Sequence, residues 1–445
     1  MFRNTLFISV SMAVASAAMA MEANYSEGVF VVNEDWYGHQ NSTINHLSPD
    51  DPDGEYWSYR VFQEENPGYE LGCTSQMAAF HAGYLFVISK QAKDPGASVS
   101  GGRITVADAS TLKLVKQLEL IDPSGAQCDG RSVLGVSETK VYVSASNGVW
   151  VFDIPTMSVT GCIAGTESGG KSLYMGQCGS MVMSGGKVFV AHQSKGILVI
   201  DPSTDTLTDS IGFSVIDEKA AIGSIVKSAD GNVWASVTAD INGTGSTMPY
   251  IVKIDPALLD VAVKELPEGI SAPANSWYAW TPDGFCASAK RNALYWNGGA
   301  TSWFSQAQIF RYDIDADSFS KIIDLKEQGD GWNVYGCSMR LHPETDELYM
   351  SLFVKYADTA YALRRCDYLG NTIKEYPMIA NYWFPSIPVF PQSGGASGID
   401  DSAVDQEECD ALYYDLQGCP LGSSAEGLRG IVIKRQGGKS VLIRL

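Results

Sequence analysis

The stretch "GGKVFVAHQSKGILVIDPSTDTL", Gly185 to Leu207, decides the fold. It holds an apolar strand, a short loop, a second strand ending in Asp, and a turn. Lys140 begins nearly the same sentence, "KVYVSASNGVWVFDIPTMSV". Working outward, the first strand recurs at Gly28 (GVFVV), Tyr84 (YLFVI), Asn232 (NVWAS), Asn292 (NALYW) and Glu347 (ELYMS). Start-to-start gaps are roughly 45 to 60 residues, the period of propeller blades with loops of varying length. The second strand closes on Asp108, Asp153, Asp201, Asp255, Asp313 and Asp367, with Ser48 in that place in the first copy. A carboxylate there can accept backbone N–H groups two or three residues on and close a tight turn. These Asp residues are therefore read as structural.

Each copy also needs a strand before the repeated one. Six are legible: "SQMAAFH", "RSVLGVS", "GSMVMS", "GSIVKS", "GFCASA" and "CSMRLHP". The first copy has none, and "WFPSIPVFP" (Trp383–Pro391) is predicted to supply it. Its prolines exclude a central strand but suit one with a free side. Strands apolar on both faces fit sheets packed face to face in a ring. The expected fold is all-β: a seven-bladed β-propeller over 27–391, closed by a C-terminal strand and followed by a small β C-terminal segment.

Composition narrows the function. The 445 residues carry a net charge of -20, with only 18% charged residues. So acidic a chain is repelled by phosphate backbones and anionic lipid, so no nucleic-acid partner is expected. Residues 1–20, with Arg3, an apolar run and Ala18-Met19-Ala20, read as a secretory signal peptide. No Cys follows that site to mark lipid attachment. The mature protein is expected to be exported, at the cell exterior or outer-membrane surface. The nine Cys include no CxxC, and no His cluster accompanies them, so no metal site is expected. Cys73, Cys128, Cys178 and Cys337 sit at comparable strand starts, as buried thiols or as disulfide partners.

Residues 392–408 are Gly/Ser-rich and then acidic, and read as a linker. Residues 409–445 hold short strands between Gly turns. The motifs Tyr414-Asp415-Leu416-Gln417-Gly418, Gly430-Ile431-Val432-Ile433 and Gly438-Lys439 resemble the C-terminal sorting segments of proteins exported by Bacteroidota. That resemblance implies surface delivery, by type IX secretion.

In a propeller, the loops after the repeated strand and before each lead strand open on one face, where function is expected. Here they are rich in aromatics and amides: "NEDWYGHQNST", "AQCDGR", "YMGQCGS", "SWYAWTPDG", "GGATSWFSQ" and "GDGWNVYG". Trp36, Trp277, Trp280, Trp296, Trp303, Trp332 and Trp383 are placed in such loops, either as a ligand rim or as residues that plug the channel or pack between blades. Apolar surface with interleaved amides favours a ligand rim. The candidate ligand-binding set is Trp36, Tyr37, His39, Gln40, Lys90, Arg103, Gln127, Asp129, Arg131, Gln177, His192, Gln193, Tyr278, Trp280, Trp303 and Trp332. His39-Gln40 and His192-Gln193 look equivalent. No nucleophile elbow, Walker loop or HExxH is present, so no catalytic residue is assigned. Glu34, Asp35, Glu64, Glu65 and Glu70 are the acidic rim residues from which a carboxylate pair would have to come.

The seven-fold pattern over 27–391 resembles the YncE-like propellers. "NEDWYGHQNSTINHL", "ISKQAKDPGA…GGRITVADAST", "IDPSGAQCDGR" and "GQCGSMV" resemble the BtuG-type surface propellers of gut Bacteroidota. The resemblance implies a non-enzymatic protein that captures a corrinoid such as cobalamin, with no cofactor of its own. It also implies an outer-membrane TonB-dependent transporter as partner. A monomer is expected. The competing readings are a polysaccharide lyase or hydrolase, a glycan-binding protein, and a protein-interaction scaffold.

Overall fold

The computed structural model describes residues 25–169, 173–216, 221–238, 247–273, 277, 280–282, 284–301, 305–355, 360–381, 383, 385–391, 412–414, 420–422, 431–436 and 439–444. The expected signal peptide and the linker lie outside these residues. Among them, no helix is long and apolar enough to cross a membrane.

The chain is all-β, built from antiparallel four-strand meanders. Between 29 and 389 the described strands form five four-stranded sheets and one eight-stranded sheet. The fourth meander is representative: Cys178–Ser184, Lys187–His192, Gly196–Asp201 and Thr206–Ile211 pair in chain order. Its second strand, KVFVAH, and its third, GILVID, are buried along nearly their whole length. Apolar side chains on both faces demand a neighbour on each side. The outermost strand TLTDSI is mostly exposed and polar, which blunts the edge. The second meander (Cys73–His81, Tyr84–Gln91, Ile104–Asp108, Leu114–Leu118) and the third (Gly130–Ser137, Lys140–Ala145, Gly148–Asp153, Ser158–Cys162) repeat this gradient. The core lies between adjacent sheets. Phe86 and Val106 of the second meander pack with Val143 and Phe152 of the third. Phe189 and Val199 of the fourth pack with Ile222 and Val252 of the fifth (Ala221–Lys227, Val233–Thr238, Thr247–Ile254, Val261–Glu265). Each such side chain contributes about 1.5–3 kcal/mol by leaving water.

The eight-stranded sheet is two meanders, beginning at Cys286–Ala287 and Asn333–Leu341, joined where Ser305 pairs Tyr335 and Gln306 pairs Val334. The lead strands neighbour one another in series. Cys73–His81 packs beside Gly130–Ser137, which packs beside Cys178–Ser184, then Ala221–Lys227, Cys286–Ala287 and Asn333–Leu341.

The first sheet joins the two ends of this region. Pro385–Val389 pairs Val29–Asn33, with Val31 opposite Pro388 and Phe30 opposite Val389. Thr43–Leu47 and Trp57–Ser58 complete it. Pro388 lacks an N–H, and this strand has a ladder partner on one side only, as the proline spacing requires. The same strand packs beside both Asn333–Leu341 and Cys73–His81.

The Asp turns form as the sequence predicts. Asp108 accepts four bonds: Ser110 N at 3.0 Å, Ser110 Oγ at 2.8 Å, and Thr111 N and Oγ1 at 2.9 Å. Asp153, Asp201, Asp255, Asp313 and Asp367 each accept a backbone N–H in the same way. The side-chain bond from Ser110 is the first of the contacts that hold the Asp108 carboxyl below its usual range. The stability it contributes is present above the unfolded carboxyl value of about 4 and is lost as pH falls through the depressed folded value. Asp108→Ala is expected to lower stability by about 1 kcal/mol at pH 7, read by urea titration, with the difference from wild type shrinking toward acid.

Among the described residues the Cys side chains are thiols, not disulfides. Cys73 donates to Asp94 at 3.4 Å, Cys128 to Asn147 at 2.8 Å, and Cys178 to the Thr166 carbonyl at 3.5 Å. Of the two sequence readings, the thiol is the one found at all four strand starts. The C-terminal segment holds a separate sheet of Leu412–Tyr414, Pro420–Gly422, Ile431–Gln436 and Lys439–Arg444.

Candidate functional site

Antiparallel pairing sends the loop after each second strand, and the connection to each next meander, to one end of the sheets. The Asp turns lie at the other end. Every described candidate binding residue falls at the loop end or on the strand termini that lead into it. Exposed apolar side chains follow the same division. Among described residues outside strands, nine large exposed hydrophobics lie at the loop end: Trp36, Tyr37, Tyr69, Val99, Leu120, Tyr174, Met175, Val215 and Ile379. Only Leu258 and Leu369 lie at the turn end.

The loop carrying Trp36 and Tyr37 is held rigidly. Buried Asp94 accepts from Gly38 N at 2.8 Å and from Gly96 N at 2.7 Å. Asn41 accepts from Asp94 N and donates to the Val99 carbonyl. Gln40 donates to Asp35 at 2.9 Å. Asp35 is itself buried in the left-handed region (φ 56°), a strained conformation for a residue with a Cβ. Trp36 (37% exposed) and Tyr37 (54%) stand out of this frame, and the ring of exposed His39 lies 5.0 Å from that of Trp36.

A second feature lies where the lead strands begin. In five meanders the lead strand slips register against its neighbour at a corresponding point: Ser75/Met77, Gly130/Ser132, Cys178/Met181, Ile222/Ile225 and Val334/Met339. A bulge re-aims the side chain that loses its partner. Gln76 and Arg131 occupy two of these slips. They belong to a polar arc that crosses four consecutive meanders. Gln76 donates to Glu34 at 2.6 Å. Glu34 and Asp129 both act electrostatically on Lys90. Asp129 lies 3.9 Å from Arg131. Arg131 donates twice to Gln177 Oε1, at 2.9 and 2.7 Å, and once to the Gly130 carbonyl. Gln177 donates to the Trp277 carbonyl at 2.7 Å.

All these side chains are buried. Burial pushes the Lys90 ammonium down to about 8, with the Glu34 charge opposing the fall. Burial also raises the Glu34 and Asp129 carboxyls, against the pull of Lys90 and Arg131 respectively. The Arg131 guanidinium falls to about 10 by burial, with Asp129 opposing. Desolvation therefore outweighs pairing throughout the arc.

The remaining candidates divide. Arg103 donates to the Lys90 and Glu119 carbonyls and braces the strand terminus. Gln127 is exposed beside the arc. Gln193 is buried and accepts from Gln177 N at 3.3 Å. His192 is fully buried, and burial pushes its imidazole down to about 4, so it is not the equivalent of exposed His39. Trp332 is half-buried against the core of the joined sheets. Tyr278 and Trp303 lie outside the described residues.

Several aromatics depart from the rim that the sequence suggests. Trp280, Trp277 and Trp383 are 1% exposed or less. Trp277 and Trp280 pack in the core between the fourth and fifth meanders. Trp277 donates to the Ile222 carbonyl, and Trp280 lies over the Arg131 guanidinium at 6.0 Å. Gly179 is required beneath them: a Cβ there would come within 2.9 Å of the Trp277 ring. Trp296 is on a strand, in the core beside Phe310. Of the readings the sequence leaves open, packing between sheets is the one found for Trp277, Trp280 and Trp296, while the sequence favours the rim for the group.

Most of the acidic rim residues are engaged by other groups. Glu65 pairs Lys113, Glu70 faces Arg60 and Gln63, and Glu34 and Asp35 are tied to Gln76 and Gln40. Among the described residues no group of three or more His, Cys, Asp or Glu is placed to hold a metal.

Residues 27–391 match a family model described as a domain of unknown function, DUF5074. No curated protein is similar in sequence. A quinonprotein alcohol dehydrogenase-like protein from Bacteroides thetaiotaomicron shares the fold at 17% identity. The match covers 83% of this chain and 79% of that one, with a TM-score of 0.58. An extracellular domain from the same organism is similar at 11% identity, over 85% of this chain and 47% of that one, with a TM-score of 0.45. The architecture is propeller-like.

Proposed function

We propose that this chain, which belongs to the DUF5074 family, is an exported, non-enzymatic binding propeller that captures a large amphipathic molecule at its loop end. In this reading the meanders are seven blades of a closed ring. The serial neighbouring of lead strands and the pairing of Val31 with Pro388 support it. A rigid ring presents preformed loops, so little ordering cost is left for binding.

The observation that carries the reading is the lopsided exposure of apolar side chains: among the described residues outside strands, nine at the loop end against two at the turn end. Exposed Trp and Tyr on a braced loop are costly unless something covers them. Amides and charges beside them suit a ligand with a flat apolar body and polar edges. A corrinoid such as cobalamin is the first candidate, held at the cell exterior or outer-membrane surface and passed to a TonB-dependent transporter by a monomeric protein.

Titration calorimetry with cyanocobalamin against a panel of glycans tests this. Saturable heat with the corrinoid alone is expected, with Trp36→Ala weakening it about tenfold. Heat with glycans and new reducing ends would replace the reading with a carbohydrate enzyme. Silence with both would leave a protein partner.

A further inference from the structure

The arc is asymmetric in what it leaves unsatisfied. Its hydrogen-bonding side chains give donors to one another or to carbonyls, Arg131 to Gln177 and Gly130, Gln177 to Trp277 and Gln76 to Glu34, while the Lys90 ammonium lies among the Glu34 and Asp129 charges. Two oxygens have no hydrogen-bond partner, Gln76 Oε1 and Asp129 Oδ1. Their side chains are 3% and 4% exposed. The Gln76 nitrogen donates to Glu34, which leaves the amide oxygen as the atom without a partner. A buried acceptor without a donor costs about 1–3 kcal/mol, so such atoms mark a place where a donor belongs. Charge points the same way. Glu34 and Asp129 balance Lys90 and Arg131 in sign, and the chain as a whole is acidic, so nothing here draws an anion.

We propose that the arc is a subsite for a hydrogen-bond-donating group, a primary carboxamide or an ammonium, with Gln76 and Asp129 as its acceptors. It refuses carboxylates and phosphates. The proposal deepens the loop-end binding reading by giving the polarity of the ligand's buried edge. Both oxygens are covered, and Trp280 lies over Arg131 next to Asp129, so entry of the group requires a shift of side chains at the loop end. Small probes are therefore the appropriate first ligands.

Saturation-transfer NMR of the full chain with acetamide, methylammonium chloride and sodium acetate, at matched ionic strength, tests the subsite without any corrinoid. Acetamide or methylammonium is expected to bind at least tenfold better than acetate. Gln76→Met and Asp129→Leu should each weaken the favoured probe about tenfold, with wild-type circular dichroism as the check on folding. If a variant does not fold, the preference of the wild-type protein among the three probes decides alone. Equal or tighter binding of acetate, or no binding of any probe, overturns the subsite. Neither result depends on whether cyanocobalamin binds, so this failure is separable from failure of the broader reading.

Discussion

Ending the chain after Ala380 is expected to abolish folding, whereas ending it after Pro391 is expected to leave the melting temperature within about 2 °C of the full chain. The two proteins differ by a single strand. The shorter one loses Ile387, Val389 and Trp383, buried to 4%, 7% and 1% exposure. Ile387 and Val389 share a core with Phe30, Val32 and Phe80, and Trp383 stacks on Tyr59 at 5.6 Å. Burial of three such side chains is worth about 6 kcal/mol, and the ladder to Val29–Asn33 about 3 more. That sum approaches the whole stability of an ordinary domain, about 5–15 kcal/mol. The strand also covers the ladder edge of Val31, whose exposure invites pairing between chains. The described strands of the C-terminal sheet pair only with one another, so removing 392–445 takes nothing from this ladder. Expression of the two truncations, with sedimentation and thermal melts, checks the claim. A soluble, cooperatively melting protein ending at Ala380 would show that the first sheet does not need its fourth strand.

What the sequence made legible was whatever local physics writes locally. "KVFVAH" and "GILVID" announce strands buried on both faces, and the turn after Asp108 follows from one carboxylate and two hydroxyls. Even the long-range pairing of Val31 with Pro388 was readable, because a missing strand at one end met a spare proline-bearing strand at the other. The site was less legible. "SQMAAFH" gives no hint that Gln76 lies at a register slip, since a bulge is set by how two strands pair and not by composition. Lys90, Asp129 and Arg131 stand out as polar residues near strand ends, but their joining with Glu34 depends on the packing of successive meanders. The aromatics misled for a related reason. Loop membership favours a rim for the group, yet Trp277 and Trp280 pack in a core, with the Trp277 ring against Gly179. Of the described Trp and Tyr residues in the candidate set, Trp36 and Tyr37 are the exposed ones, on a loop braced from below by Asp94.

Arg131→Leu is the point substitution expected to cost most, about 3–5 kcal/mol at pH 7. Arg131 is 1% exposed and supplies the cation that Asp129 needs. Its loss leaves Gln177 Oε1 without the two donors at 2.9 and 2.7 Å and leaves Asp129 with its other oxygen already unpaired. With an unfolding entropy of about 2.1 cal/mol/K per residue, 4 kcal/mol lowers the melting temperature of the propeller-like body by about 5 °C. The loss has a pH signature. Burial already raises the Asp129 carboxyl above its usual value, and without Arg131 it rises further. A carboxyl whose folded value lies above the unfolded one binds the proton more tightly in the folded state, so the penalty grows as pH rises through the unfolded value of about 4 and flattens above the folded one. Asp129→Leu in the same chain removes the stranded carboxylate and should restore part of the stability, because an apolar pair of similar bulk carries no desolvation cost. Melts of the wild type, both single variants and the double variant at pH 5 and pH 8 make the cycle. Additive losses in that cycle would mean that Arg131 and Asp129 act independently, and the arc would then be a set of separate contacts with no electrostatic coupling between these two.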